Sequence, residues 1–132
     1  MEHMFEDAVV FNQDIGSWDV GRVENMIEMF NGADAFNQDI GDWDVSSVDN
    51  FDSMFQGADN FNQDISGWDV SNVSSEFGDN YSGMDYMFSS AENFNQDLSG
   101  WCVDDIELDP VGFASGTPMP DEFIPRFGES CF

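Results

Sequence analysis

One phrase recurs through the chain, and it constrains the fold more than any other feature. Phe-Asn-Gln-Asp-(Ile/Leu)-x-x-Trp occurs at 11–18, 36–43, 61–68 and 94–101. The tryptophans at 18, 43, 68 and 101 are therefore 25, 25 and 33 residues apart, the last step being one period plus eight residues. A unit of this length cannot bury its apolar face alone, so the units must stack. The period predicts a solenoid.

Within the period, two apolar patterns repeat. The first is Ile15-x-x-Trp18-x-Val20-x-x-Val23, repeated as Ile40/Trp43/Val45/Val48, Ile65/Trp68/Val70/Val73 and Leu98/Trp101/Val103/Ile106. It has the spacing of a leucine-rich repeat, and the alternation Trp-Asp-Val reads as a short strand with its apolar side chains inward. The second is Met1-x-x-Met4-Phe5, Met26-x-x-Met29-Phe30, Phe51-x-x-Met54-Phe55 and Met84-x-x-Met87-Phe88, followed by Ala8, Ala33, Ala58 and Ala91. Spacing of i, i+3, i+4 predicts a short helix or 3-10 turn with one buried face, with Gly32 and Gly57 at its left-handed end. The expected fold is an α/β solenoid, leucine-rich-repeat-like, with one short parallel strand plus a short helix or 3-10 turn per 25-residue coil. Its expected limits are 1–106, with 107–132 as a C-terminal cap.

Three irregularities interrupt the pattern. The eight extra residues fall at about 74–81, where an insertion maps to a loop that can carry binding through Phe77 and Tyr81. The sequons at Asn72 and Asn80 lie here too and are candidate glycosylation sites. After Val103 the periodicity is expected to stop, and prolines arrive at 110, 118, 120 and 125. Cys102 and Cys131 are the only cysteines, so a bridge between them would fasten the cap and imply an oxidising compartment. At the other end Met1–Phe5 enters in phase, predicting either a longer array or self-association through an uncapped end.

Charge excludes several classes. Twenty-eight acidic residues face two arginines, for a net charge of −26. Such a surface repels nucleic acid and anionic lipid. No apolar run is long enough to span a bilayer. His3 is the single histidine, and no phosphate-binding glycine loop is present, so no enzyme is expected.

The run Phe-Asn-Gln-Asp-Ile-Ser-Gly-Trp-Asp-Val-Ser-Asn-Val, followed by Met-Phe-x-x-Ala, resembles the repeat of BspA-like leucine-rich-repeat surface proteins and of mycoplasma-type surface lipoproteins. The resemblance covers 1 to about 106, and the tail from Trp101 through Pro110, Phe113 and Phe127 to Cys131 looks like the closing segment of that family. It implies an extracellular or cell-surface module used in adhesion or protein binding, without catalysis.

The acidic residues form two rows under this register. Asp14, Asp39, Asp64 and Asp97 share one position, expected to accept turn N–H groups, and the adjacent Asn12, Asn37, Asn62 and Asn95 are expected to form a ladder that closes turns. Asp19, Asp44 and Asp69, joined by Asp42, form a second row on the solvent side of the expected concave sheet. These four, with Phe77 and Tyr81, are the candidate binding residues, and Asp19, Asp44 and Asp69 the candidate ligands for calcium, which takes oxygen donors. The function expected is binding of a protein or glycan on another surface. The alternative is a calcium-stabilised spacer, or a module for mineral, glycan or ice surfaces.

Overall fold

The computed structural model describes residues 1–75 and 82–131. Phe77 and Tyr81, and the sequon at Asn80, lie outside the described residues.

Corresponding residues of successive units lie against one another. Phe5, Phe30, Phe55 and Phe88 form a column with ring centroids 5.5 Å apart at each step. A second column, Phe11, Phe36, Phe61 and Phe94, runs beside it at 5.9, 5.8 and 5.7 Å. The two columns touch within each unit, as Phe30 does Phe36 at 4.1 Å. Apart from Phe5 and Phe11 in the first unit, these rings are completely buried. Met26, Met29, Met54, Met84 and Met87, with Ala33, Ala58 and Ala91, fill the space around them. The small alanines let the chain turn against the phenylalanines, and the flexible methionines fill what remains.

The Met-x-x-Met-Phe segments are not helices. Among the described residues the structure contains a single isolated parallel bridge, Asn25 to Asn50, and a 3-10 helix at Asp121–Phe123, with no α-helix. An α-helix would send each N–H to the carbonyl four residues back. Here the N–H groups divide by parity. Glu28, Phe30 and Gly32 donate to Asp52, Met54 and Gln56 of the next unit at 2.8–2.9 Å. Met29, Asn31 and Ala33 instead bond three residues back, to Met26, Glu28 and Phe30. Left-handed residues make this alternation possible, at His3, Glu28, Ser53 and Tyr86 and, four positions on, at Asp7, Gly32, Gly57 and Ser90. The segment is a train of turns hydrogen-bonded to its neighbour. The i, i+3, i+4 spacing was satisfied by turns as well as it would have been by a helix.

The strand expected at Trp-Asp-Val does not form among the described residues either, though the burial alternation does. Trp43, Trp68 and Trp101 are 4–5% exposed and Val45, Val70 and Val103 are buried, while Asp44 and Asp69 between them face solvent. Trp68 and Trp101 are nearly parallel with centroids 6.4 Å apart. No backbone ladder joins these segments among the described residues. The indoles join the units instead. Nε1 of Trp43, Trp68 and Trp101 donates to the carbonyls of Ile15, Ile40 and Ile65, one unit back, at 3.1–3.2 Å. Trp18, in the first unit, is 40% exposed, and Met4, Val9 and Val10 of that unit are more exposed still.

Beyond residue 106 the turn train continues. Tyr86, Phe88 and Ser90 donate to Val111, Phe113 and Ser115 at 2.7–2.8 Å, repeating the pattern between the earlier units. Gly112 and Gly116 take the two left-handed positions. Residues 110–117 are thus a degenerate fifth turn train, masked in the sequence because Phe113 and Ala114 stand where Met87 and Phe88 stand one unit earlier. Phe113 meets Phe88 edge-on at 81°, which ends the stacked column, and Phe127 packs edge-on against Phe113 in turn. A disulfide joins Cys102 to Cys131 across this segment.

Candidate functional site: the acidic rows

Both carboxylate rows are built by one local device, Asp followed two residues later by Ser or Gly. Oδ1 of Asp14 and of Asp39 accepts the N–H of Gly16 and of Gly41 at 3.0 Å. Asp64 and Asp97 accept both the N–H and the hydroxyl of Ser66 and Ser99, at 3.0 and 2.6 Å. In the second row Asp19 accepts from Gly21, and Asp44 and Asp69 accept N–H and hydroxyl from Ser46 and Ser71. Each carboxylate is thereby fixed in direction while a second oxygen remains free. The Ser hydroxyls, and then the backbone N–H groups, hold Asp44, Asp64 and Asp97 below the usual carboxylate range. Donors to the ionised form favour it.

Asp19, Asp42, Asp44 and Asp69 are all exposed. Among the described residues, Asp19, Asp44 and Asp69 do not bring three ligand oxygens within 4.8 Å of one another. The reason is geometric: residues one unit apart form a line, and the ends of a line of three are two unit spacings apart. Cys102 stands at the end of this row, and its sulfur lies near Asp104 and Cys131, but both sulfurs are consumed in the disulfide.

The asparagines form the expected ladder. They join units rather than closing turns. Asn12 Oδ1 accepts the N–H of Asn37 at 2.9 Å and Nε2 of Gln38 at 2.9 Å. Asn37 does the same for Asn62 and Gln63, and Asn62 for Asn95 and Gln96. The phrase Phe-Asn-Gln-Asp therefore has a role for each residue: ring column, acceptor from the next unit, donor to the previous one, and turn carboxylate. Asn72, the described sequon, donates from Nδ2 to the Ser47 carbonyl at 3.2 Å.

A different set of carboxylates is pushed upward. Burial raises Asp52, outweighing the hydrogen bond from the Asp85 N–H, which lowers it, while the Asp85 charge adds a smaller upward push. Burial also raises Asp49 and Asp59, with repulsion from Glu24 in the first case and from Glu92 and Asp34 in the second. Asp52 and Asp85 belong to the junction where the eight residues enter. Asn25 and Asn50 cap the N–H groups of Ile27 and Asp52, but Gly83 stands at the next such position. The Asp85 N–H goes to Asp52 Oδ1 instead, at 2.8 Å, and buried Asp85 accepts from Ser82 and Val111. The spacing between paired residues changes here from 25 to 33 while the rest of the bonding pattern persists.

The structure also brings together a group not foreseen in sequence. Nδ1 of His3 lies 2.8 Å from Glu6 Oε2 and 3.1 Å from Glu28 Oε2. Glu28 is the residue one period after His3, and that 25-residue offset was the available signal.

No described helix is long and apolar enough to cross a membrane. Searches of curated proteins and of solved structures found no match. A family profile, described as "Mycoplasma protein of unknown function, DUF285", matches residues 1–79 and 78–109. The match thus covers the four units and ends just before the degenerate turn train at 110–117. With its repeats, their cross-unit bonding and this match over most of its length, the chain belongs to the DUF285 family of mycoplasma repeat proteins.

Proposed function

We propose that the chain is a non-enzymatic, leucine-rich-repeat-like solenoid module of a surface protein, akin to the BspA-like proteins, that binds a partner through its acidic face. The observation that carries this reading is the direction of the carboxylates. Asp44 and Asp69 are exposed, equivalent, and each oriented by two hydrogen bonds on a rigid interior. Recurrent oriented charge on a stiff scaffold suits a cationic protein surface, because little side-chain freedom is lost on binding. The Cys102–Cys131 bridge fits an extracellular setting.

Arrays of basic peptides and of glycans test the proposal, with a double Asp44→Asn, Asp69→Asn variant alongside. Binding that weakens with salt and is lost in the variant supports it. Binding that survives both would place the contact elsewhere.

A calcium-stabilised spacer is the second reading, favoured by like charges held one unit apart. A thermal melt in EDTA, calcium and magnesium at fixed ionic strength separates the two. A rise specific to calcium and abolished by the same double variant favours the spacer, whereas equal responses to both ions leave the row a solvated surface.

A further inference from the structure

We infer that His3, Glu6 and Glu28 form a binding site for a single divalent transition cation of the zinc class. Nδ1 of His3 and one carboxylate oxygen each from Glu6 and Glu28 lie within 4.8 Å of one another. The two distances from the imidazole nitrogen are 2.8 and 3.1 Å. Zinc–nitrogen and zinc–oxygen bonds of about 2.0–2.2 Å in a tetrahedron place ligand atoms about 3.3 Å apart. The two distances from the imidazole need to lengthen by only a few tenths of an ångström to admit the ion, the two carboxylate oxygens lie within 4.8 Å of one another, and water would complete the shell.

The backbone preorganises this group. His3 is left-handed, with φ 54°, and so is Glu28, with φ 52°. They hold the same position in adjacent units, which the bonds from His3 N–H to Ile27 and from Phe5 N–H to Met29, both 2.9 Å, lock together. A turn bond from Glu6 N–H to the His3 carbonyl brings Glu6 back to the same side. All three side chains keep access to solvent, with exposures of 48%, 38% and 31%.

The donor set selects the ion. Calcium and magnesium take oxygen, whereas an imidazole nitrogen with two carboxylates suits zinc, copper or nickel. The site also occurs once. Where the next units carry the counterparts of His3 and Glu28 stand Ser53 and Tyr86, and the counterparts of Glu6 are Asn31, Gln56 and Ser89, none of which completes such a set. One ion per chain is therefore expected, in contrast to the diffuse attraction of cations by a net charge of −26.

The test is calorimetric titration of the whole chain with zinc chloride, in physiological salt and excess magnesium, with cobalt absorption as a second readout. One equivalent should bind, and His3→Ala and Glu28→Gln should each weaken it by about tenfold or more. Glu28→Gln keeps a hydrogen-bond acceptor beside the imidazole, so its fold is not in question if His3→Ala melts early. Asp44→Asn should bind as the parent does. Uptake that is unchanged in both site variants, that magnesium abolishes, or that follows many equal weak sites would overturn the inference. Because Asp44→Asn reports on the acidic row alone, failure of this site is distinguishable from failure of the proposed binding face.

Discussion

The carbonyl of Ile40 accepts two hydrogen bonds, one from the Trp43 N–H at 3.2 Å in its own unit and one from Trp68 Nε1 at 3.1 Å in the next. Ile15 and Ile65 are used in the same way, by Trp18 and Trp43 and by Trp68 and Trp101. Both lone pairs of one buried oxygen are thereby occupied, and the indole ties each unit to the one before it. Trp68→Phe removes the second donor and part of a buried ring, while Trp43 N–H still serves the carbonyl. The expected loss is about 1–3 kcal/mol, read from urea unfolding. A variant as stable as the parent would show the indole bond to be without net value.

Asn37 ties its unit to the next by accepting from both Asn62 N–H and Gln63 Nε2, each at 3.0 Å. Asn37→Ala removes both bonds at an exposed position, where water can replace the acceptor in part. A loss of about 1 kcal/mol follows. Asn37→Asp keeps the oxygen and adds a charge beside Asp39. Its stability should fall below the parent's in low salt and approach it in high salt, as melts at two ionic strengths would reveal.

Asp52 carries a pH signature. Its folded pKa is raised above the ordinary 3.8 by burial, which outweighs the lowering hydrogen bond from the Asp85 N–H, with a smaller upward push from the Asp85 charge. Between the unfolded and folded values the native chain holds more proton than the unfolded one, so this group's contribution to stability falls as pH rises through that window. The penalty is complete above the folded pKa. Asp52→Asn keeps an oxygen for the Asp85 N–H and removes the charge. Its melting temperature should exceed the parent's at neutral pH, with the advantage shrinking to nothing below the unfolded pKa. An advantage that is constant with pH would assign the effect to packing.

The disulfide closes a separation of 29 residues around the fifth turn train and the edge-on Phe113. Replacing Cys102 and Cys131 together by Ser should cost about 2–5 kcal/mol. Hydrogen exchange should then rise first at Tyr86, Phe88 and Ser90, whose N–H groups point into the cap. Uniform loss of protection along the chain would instead mean that the units open together.

Much of this organisation was legible in the residues. The frame Phe-Asn-Gln-Asp-Ile-x-x-Trp-x-Val placed Phe, Trp and Val inside in every unit but the first, where Trp18 is exposed, and each Asp outside. An apolar position recurring at a fixed period must be buried against its copies wherever the chain goes. The pairing of Cys102 with Cys131 followed from there being no other partner. The turn carboxylates were legible as well, because Asp14 and Gly16, or Asp64 and Ser66, interact over two residues and need no knowledge of the rest of the fold.

What depended on the distance between units was decided only by the tertiary structure. The same i, i+3, i+4 spacing fits a helix or a train of turns. The turns arise because the N–H groups of Glu28, Phe30 and Gly32 find carbonyls in the next unit. At Trp-Asp-Val the link between units is the indole N–H to the isoleucine carbonyl one unit back, not a strand ladder. Asn37 reached across rather than back, Gly112 and Gly116 continued a backbone pattern that Phe113 and Ala114 disguised, and His3 met Glu28. A repeat's period determines which residues become neighbours, while the rise from one unit to the next determines which of their atoms can bond.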